Sequence, residues 1–389
     1  MKGSSVWNLK GTLFFFHASM TIMISYLPVY FQSLGLTGTE IGILMAVGPA
    51  ASILSQPFWG FVSDKWKTVK KILVLCLSGA LAAGFVLFQM EEFAFLILTM
   101  FIFFGFLSPG GGLGDSLSQK IAMERGVSFG SIRMWGSLGF GSASLAGGYI
   151  LDWIGIGHIF AVFAVFLTTA ILFSMTAPDS RPSAKPVHLS GALKLLRNPQ
   201  LLLFLAFIVS ISLTHRMNDA FIGLYIVELG GSESVIGMAW FIGVTAEAAM
   251  FALSAYWMSR FHPLTLIAAA GAVYVLRWGL FTLAETPAMI LAVQATHGIA
   301  FAVFYLTAFQ FIGRLVPKEF QSTGHLLFIS VFFGLSGVIG SGIGGVIIDA
   351  GSVHLLYQVM FLISLVGFTG ALLYRRYYMR RSPDSFSNS

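Results

Sequence analysis

Long apolar segments alternate with short polar connections along the whole 389-residue chain. A helix that crosses a bilayer needs about 20 mostly apolar residues. The first apolar run, from Leu13 to about Leu34, is too long for the core of a cleavable signal. We therefore predict an all-α integral membrane protein with about twelve transmembrane helices. The predicted spans lie near residues 11–34, 40–62, 71–90, 93–120, 129–152, 157–177, 200–228, 234–259, 264–283, 287–313, 321–350 and 353–374.

The composition supports a membrane location over a soluble fold. Hydrophobic residues make up 57% of the chain and charged residues only 10%, whereas a soluble domain carries roughly 25% charged residues. Side chains that face lipid need no charge, so we expect membrane lipid to cover most of the surface. The single cysteine, Cys76, excludes an internal disulfide and a cysteine-based metal site, and no cofactor is predicted.

The basic residues fall on one side of the predicted topology. Of the 22 Lys and Arg residues, three lie within predicted spans, and the other 19 lie in the termini and in connections on the same side. The positive-inside rule therefore predicts a multi-pass protein of the cell membrane with both termini in the cytoplasm. This arrangement explains the net charge of +6 without a nucleic-acid partner. The opposite connections carry acids instead: Glu40, Glu91, Glu92, Asp152, Glu228, Glu233, Glu285 and Asp349.

The two halves of the chain resemble each other. Five residues of the first half recur 195 positions later, namely Tyr30, Leu34, Gly35, Ile41 and Gly42. Gly147, Gly148 and Asp152 recur 197 positions later. We therefore predict two pseudo-symmetric six-helix bundles, at 1–177 and 200–375, with a cytoplasmic linker at 178–199 and a tail at 376–389. Parallel repeats with a site at the midplane between them resemble the architecture of major facilitator transporters.

Charged residues inside the predicted spans are the candidates for chemistry. A charge at the bilayer centre costs about 2.5–3.5 kcal/mol even on the most lenient scale, so such residues persist where they face a polar cavity and find partners. An ion pair that only fixes the register of two helices is the alternative reading. The candidates are Asp115, Arg133, Arg216, Asp219, Glu247 and Arg277, with His17, His215 and His297 as groups that titrate near neutral pH.

A run of glycines precedes Asp115 in the sequence SPGGGLGD. Pro109 and the glycines weaken a helix there, which suits a ligand site. Close packing of helices through small residues is an equal alternative. The glycine stripes of the fifth and eleventh spans favour packing or sliding surfaces.

The connection between the second and third spans reads GFVSDKWKTVKK. Its Gly60, Asp64 and Lys65, followed by further basic residues, resemble the loop signature of major facilitator transporters. The resemblance implies a cytoplasmic gate, in which Asp64 engages the opposed bundle in one conformation only. The corresponding place in the second half, near Ser259 and Arg260, lacks the acid.

The segment VSFGSIRMWGSLGF, residues 127–140, resembles the fifth helix of the lactose permease branch. That branch includes galactoside, nucleoside and phenylpropionate proton symporters. The resemblance implies that Asp115 and Arg133 bind solute hydroxyls. Phe140 stands where galactoside permeases stack a Trp on the sugar, and Asp115 replaces their longer Glu, so a galactoside is not implied. Trp135 is a substitute platform or a packing aromatic.

The second half resembles the same branch more loosely. Glu247 matches a glutamate of the eighth helix that binds solute, Asp219 an aspartate of the seventh, and Arg277 an arginine of the ninth. The tenth helix carries His297-Gly298, as in nucleoside and phenylpropionate symporters. The resemblance implies proton coupling through Asp219, Glu247, Arg277 and His297. Gln310, 195 positions after Asp115, is its neutral counterpart.

These observations predict a secondary transporter that works by alternating access. We expect a functional monomer that couples a proton to a small polar solute, which is sugar-like, nucleoside-like or an aromatic acid. A proton-driven exporter of drugs or sugars is the alternative within transport. A membrane-embedded enzyme is disfavoured, because the spans contain no metal-ligand cluster or nucleophile motif and the two-fold repeat suits a transporter.

Overall fold

The computed structural model describes residues 4–180, 195, 197–317 and 320–381. This part of the chain is helical and contains no strand. The helices are α1 (Ser4–Ser33), α2 (Gly38–Trp66), α3 (Lys70–Leu87), α4 (Phe93–Leu107), α5 (Pro109–Arg125), α6 (Phe129–Ile154), α7 (Ile159–Thr176), α8 (Pro199–Glu228), α9 (Glu233–Ala252), α10 (Ser254–Met258), α11 (Pro263–Phe281), α12 (Pro287–Gln294), α13 (Phe304–Leu315), α14 (Gln321–Ile329), α15 (Ser336–Ala350) and α16 (Val353–Arg381).

Eleven helical segments of the described chain are long and apolar enough to cross a membrane. Helix α6 is the twelfth crossing helix of the predicted pattern. It has 26 residues, enough to cross a bilayer, but its glycines and serines lower its hydropathy. The predicted membrane fold is therefore confirmed. The linker predicted at 178–199 lies largely outside the described residues.

Four of the spans are interrupted helices, and the break in the eighth lies at Leu253, between α9 and α10. The fourth span breaks at Ser108, between α4 and α5, because Pro109 lacks the amide hydrogen that a continuous helix needs. The glycine run that follows stays helical, and Gly110 packs against Phe16 of α1. Gly110 therefore serves close packing, whereas Gly112 lines a cavity, and the break precedes both. The tenth and eleventh spans contain wide π-helical turns at Ile299–Val303 and Ser330–Leu335.

Each half packs around its first helix. Helix α1 lies against α6 and α7, and α8 lies against α15 and α16 in the same relative arrangement. The halves meet where α2 crosses α15 and where α6 crosses α9. Both described ends lie on one face, here named the terminal face, because Asn8 bonds the end of α7 and Tyr374 bonds the start of α8. The other is named the opposite face.

The halves touch backbone to backbone near the opposite face. A Cβ on Gly42 of α2 would lie 2.5 Å from the carbonyl oxygen of Ser341, and one on Gly237 of α9 would overlap that of Ser144. Only glycine fits at such distances. Gly345 and Gly148 lie beside the same two crossings. The recurring glycines of the sequence thus build two equivalent closures, as predicted for packing surfaces.

An acidic side chain completes each crossing. Asp349, at the end of α15, accepts hydrogen bonds from the backbone N–H groups of Gly38 (2.7 Å) and Thr39 (2.8 Å) at the start of α2. Asp152, at the end of α6, accepts one from the Ser232 hydroxyl at 3.1 Å. A carboxylate at a helix N-terminus is favourable because amide hydrogens and the helix dipole both point toward it. These bonds hold the opposite face closed.

The terminal face is open by contrast. The side chains of Asp115 and Arg133, in the middle of the fold, keep 39% and 35% of their exposure, which requires a water-filled cavity in a membrane. Gly60 of α2 and Gly112 of α5 have no atom within 4 Å of an added Cβ. They line a cavity of about 290 Å³ together with Gln56, Asp64 and Ser116. The conformation is therefore open toward the terminal face.

The end of the first half is tied to the connection between α2 and α3. Asp179 accepts hydrogen bonds from the Thr68 hydroxyl (2.5 Å) and from the backbone N–H groups of Lys70 (3.0 Å) and Ser180 (2.8 Å). Burial alone would raise the pKa of Asp179, but these bonds outweigh it and hold the pKa below its usual value. An internal carboxylate thus caps the start of α3.

Candidate functional site

Asp115 and Arg133 form an ion pair at the cavity wall of the first half. The Nε of Arg133 lies 3.0 Å from Oδ1 and 3.3 Å from Oδ2 of Asp115. Gly126, in a left-handed conformation (φ 68°), ends α5 and turns the chain back so that α6 returns beside it. The contact uses Nε, so the terminal nitrogens of the guanidinium remain as donors for another acceptor.

Helix α6 leaves room for this arginine. A Cβ on Gly136, one turn after Arg133, would lie 2.7 Å from its Nη1 and 2.8 Å from Nδ1 of His17. His17 Nδ1 contacts the Leu13 carbonyl at 2.8 Å. The arginine therefore lies between a glycine and a histidine that is itself bonded to its own helix. This placement limits the positions that the guanidinium can take.

Three charged or titratable residues of α8 form a second cluster in the other half. Arg216 Nη1 lies 2.7 Å from Asp219 Oδ2, and His215 Nε2 lies 3.5 Å from the same oxygen. Arg216 also lies over the ring of Phe333 on the π turn of the eleventh span, 5.8 Å from its centroid. Tyr274 bonds His215 Nδ1 at 3.0 Å. Asp219 is thus held by a direct salt bridge.

Arg277 of α11 is fully buried and lacks a carboxylate within salt-bridge distance among the described residues. Its Nη1 lies 2.9 Å from His297 Nδ1, its Nη2 donates to the side-chain oxygen of Gln294, and its guanidinium lies 4.6 Å from the ring centroid of Trp278. An arginine only donates hydrogen bonds. His297 Nδ1 must therefore accept, which puts the hydrogen of this neutral histidine on Nε2.

Glu247 of α9 lies on the other side of the His297 ring. Its Oε2 lies 3.8 Å from His297 Nε2, and its side chain keeps 24% of its exposure. A Cβ on Gly298 would overlap the carbonyl of Ala246, so α9 and the tenth span touch at this point. The charge of Arg133 also acts on Glu247 across the cavity. Glu247 therefore links the cavity to the buried Arg277–His297 pair.

The aromatic candidates separate in the structure. Phe140 of α6 packs against Trp240 of α9, with ring centroids 5.9 Å apart, so it lies where the halves meet. Trp135 packs against Trp7 and Phe14, at 5.6 and 6.3 Å, under the ammonium of Lys10. These contacts make Trp135 a packing aromatic. Whether Phe140 contacts solute stays a prediction.

The predicted gate residues lie at the open terminal face. Asp64 and Lys65 are exposed at the end of α2, and Gly60 lines the adjoining cavity with Asp64. A gate that engages only when this face closes is expected to be disengaged in the present conformation. Gln310 of α13 is exposed as well.

Sequence reasoning missed three side chains that complete the buried cluster. Tyr274, Trp278 and Gln294 surround Arg277 and His215. Gln294 lies three residues before His297, and Tyr274 three residues before Arg277, so each shares a helix face with a predicted residue. That spacing was the available signal. The structure places Asp219, Glu247, Arg277 and His297 near one another, and their roles stay predictions.

Comparisons with known proteins agree with this architecture. The chain is 28% identical to the uncharacterized transporter YwbF of Bacillus subtilis, over 94% of this chain and 92% of that protein. It is 27% identical to the maltose permease of Geobacillus stearothermophilus, over 89% of each. The crystal structure of the nucleoside transporter NupG superposes with a TM-score of 0.85 at 17% identity, covering 96% of this chain and 98% of that one, which shows a common fold.

A family model described as the MFS_1 like family matches residues 6–359. The match covers nearly all of the described helices, including both central clusters and both crossings. Relatives found by sequence and by structure are transporters of the same architecture. This protein is therefore a member of the MFS_1 like family, a secondary transporter with the major facilitator fold.

Proposed function

We propose that this protein is a proton-coupled symporter of a small, uncharged, hydroxyl-rich solute such as a sugar or nucleoside. The observation that carries the proposal is the position of Glu247, between the cavity that holds Arg133 and the buried Arg277–His297 pair. We place it in the cell membrane with both termini in the cytoplasm, because basic residues cluster at the terminal face. It works as a monomer and needs no cofactor besides the proton.

The solute class follows from the charges around the cavity. Arg133 is neutralised by Asp115, and Arg216 by Asp219. A net-neutral pair that offers donors and acceptors together suits neighbouring hydroxyls, which both donate and accept. An anionic solute would instead need an accessible arginine without its own carboxylate, and Arg277, which has no carboxylate partner among the described residues, is fully buried. Relatives named as maltose and sucrose permeases support this class.

Glu247 is the best of the three candidates for the proton-binding group. Asp219 already has a close partner, because Arg216 Nη1 lies 2.7 Å from its Oδ2. His297 is held neutral by the donor Arg277, since a second proton would place two donors against each other. Glu247 has a weaker partner, because His297 Nε2 lies 3.8 Å from its Oε2, and it faces the cavity. It is therefore free to exchange protons with water.

Proton and solute are coupled through Arg133. Its positive charge acts on the carboxyl group of Glu247, which lies in the other half. A solute bound to the guanidinium displaces water and changes that interaction, so solute binding changes proton affinity. Linkage then requires that proton binding changes solute affinity by the same factor.

The test uses purified protein in liposomes with an imposed proton gradient. The solute is first identified by thermal stabilisation across maltose, sucrose, uridine and 3-phenylpropionate. We expect Glu247→Gln to abolish uphill uptake while exchange of internal for external solute continues, because exchange needs no net proton movement. Asp219→Asn serves as the matched control. Uphill uptake by Glu247→Gln would contradict the coupling assignment, and stabilisation by 3-phenylpropionate alone would contradict the solute class.

A further inference from the structure

The terminal faces of the two halves differ at one equivalent place. In the first half, the carboxylate of Asp179 caps the start of α3. In the second half, the helix that corresponds to α3 is α11. The residues 196 and 197 positions after Asp179 are Arg375 and Arg376, and His262 lies 195 positions after Lys67. At this place the first half therefore has an acidic side chain, whereas the second half has basic side chains.

These cations converge in space. The ring of Phe311 on α13 lies 6.4 Å from Tyr374 and 5.2 Å from Tyr378 on α16, which brings the ends of these two helices together. Arg314 follows Phe311 by one turn, and Arg375 follows Tyr374 directly. The charges of both arginines act on His262, which caps α11. Burial and then the charges of Arg314 and Arg375 lower the pKa of His262.

The two arginines lack a described counter-charge. None of the ion pairs of the described chain includes Arg314 or Arg375. The Nε of Arg375 is buried and has no hydrogen-bond partner there. A buried donor without an acceptor costs free energy, and two arginines that repel a proton on the same histidine form a field that attracts an anion.

We propose that His262, Arg314 and Arg375 bind the phosphate group of an anionic phospholipid in the leaflet at the terminal face. A lipid fits better than a free phosphate because the cluster lies near the ends of three membrane-spanning helices. Exposed Phe261 and Leu373 flank it and offer apolar surface to acyl chains. Basic pockets between transmembrane helices on the cytoplasmic side recognise anionic headgroups in this way.

The experiment measures lipid binding by purified full-length protein in detergent, with native mass spectrometry. Phosphatidylglycerol is titrated against phosphatidylcholine, and inorganic phosphate is the second probe. We expect Arg314→Gln/Arg375→Gln to weaken phosphatidylglycerol binding about 10-fold, since two arginines near an anionic surface are each worth close to a threefold to fivefold effect. The matched control is Lys67→Gln/Lys71→Gln, which removes the same charge around the start of α3 in the first half and should bind like the unaltered protein.

Three outcomes would overturn the proposal. Equal loss in the control variant would make the effect one of net charge. Binding of inorganic phosphate that competes with the lipid at equal strength would make the ligand a free anion. Unchanged phosphatidylglycerol binding in the double variant would remove the site. The single variant Arg314→Gln, whose side chain is exposed, repeats the measurement if the double variant unfolds in phosphatidylcholine alone.

Discussion

The centres of the two halves are built on opposite principles. The first half places one ion pair, Asp115 and Arg133, at the wall of the water-filled cavity. The second half buries Arg277 completely and surrounds it with neutral acceptors, His297 and Gln294. An exposed pair exchanges partners with a solute at little cost, whereas a buried charge is fixed by its surroundings. The first half therefore suits recognition, and the second suits coupling.

The comparison also shows what the repeat keeps. The crossings near the opposite face are equivalent in both halves, down to Gly42 and Gly237 and the acids Asp349 and Asp152. Both halves thus contribute an equivalent contact to the closed face, whereas the residues at their centres differ. A rocking motion of two similar bodies needs matched hinges and contacts, but the sites between them are free to differ.

The largest difference in stability between the two halves is expected when the buried Arg277 and the exposed Arg133 are each substituted. We expect Arg277→Met to destabilise the fold by about 2–6 kcal/mol, because His297 and Gln294 would each be left as a buried acceptor without its donor, at about 1–3 kcal/mol apiece. Arg133→Met should change stability by about 1 kcal/mol or less, since its pair is solvated. Thermal unfolding in detergent measures both. Similar losses in the two variants would contradict the contrast.

The next test asks whether the exposed pair binds solute or only braces two helices. Arg133→Lys should lower solute affinity about 100-fold, because an ammonium lacks the planar geometry of a guanidinium. Asp115→Ala, Arg133→Ala and their double variant are compared by solute-dependent thermal stabilisation. A binding role predicts that the double variant, although folded, stays without affinity. Recovery of affinity in the double variant would show that the pair serves structure alone.

The two crossings are expected to open together, because each half moves as a body. Gly42→Leu puts a side chain against the Ser341 backbone and should weaken that closure. The reporter is Ser144→Cys at the other crossing, in a Cys76→Ala background, since Ser144 is buried. We expect a membrane-impermeant maleimide added at the opposite face to label it about 10-fold faster, corresponding to about 1.4 kcal/mol. Unchanged labelling would mean that the crossings open separately.

The smallest expected effect concerns the carboxylate cap of α3, whose counterpart α11 is capped by His262 instead. Asp179→Asn should cost about 0.5–1 kcal/mol at pH 7, because the exposed carboxyl makes a modest cap. The pKa of Asp179 is held below its usual value. Its stabilisation is therefore present above the unfolded pKa of about 3.9 and is lost as pH falls through the lower folded pKa.

The test measures thermal unfolding of wild type and of Asp179→Asn at pH 7, 5 and 3.5. The gap between wild type and Asp179→Asn should be constant at pH 7 and 5 and should begin to shrink at pH 3.5. Asp64→Asn, an exposed acid at the end of α2, is the control. A gap that grows on acidification would contradict the capping role.

The membrane fold was predictable because its signals are long and redundant. Twenty apolar residues mark a span whatever their order, and the recurrence of Gly42 as Gly237 marked the repeat. The exact partners were not predictable. Nothing local in the sequence pairs Arg277 with Gln294, since that bond depends on how α11 meets the tenth span. Of the weakening expected from Pro109 and the glycines, only the break before Pro109 appears, because packing against Phe16 keeps Gly110 helical despite its low propensity.

The thin closed layer at the opposite face has an electrical consequence. Water enters the cavity from the terminal face, so a membrane voltage falls mainly across the layer of Gly42, Gly237 and their partners, and not across the full hydrocarbon thickness of about 30 Å. One elementary charge moved through 100 mV is worth about 2.3 kcal/mol. The central acids and arginines cancel, so the empty transporter carries little net charge as it reorients. If Glu247 takes the coupled proton, as proposed, the moving group becomes positive, and voltage would then act on the loaded form.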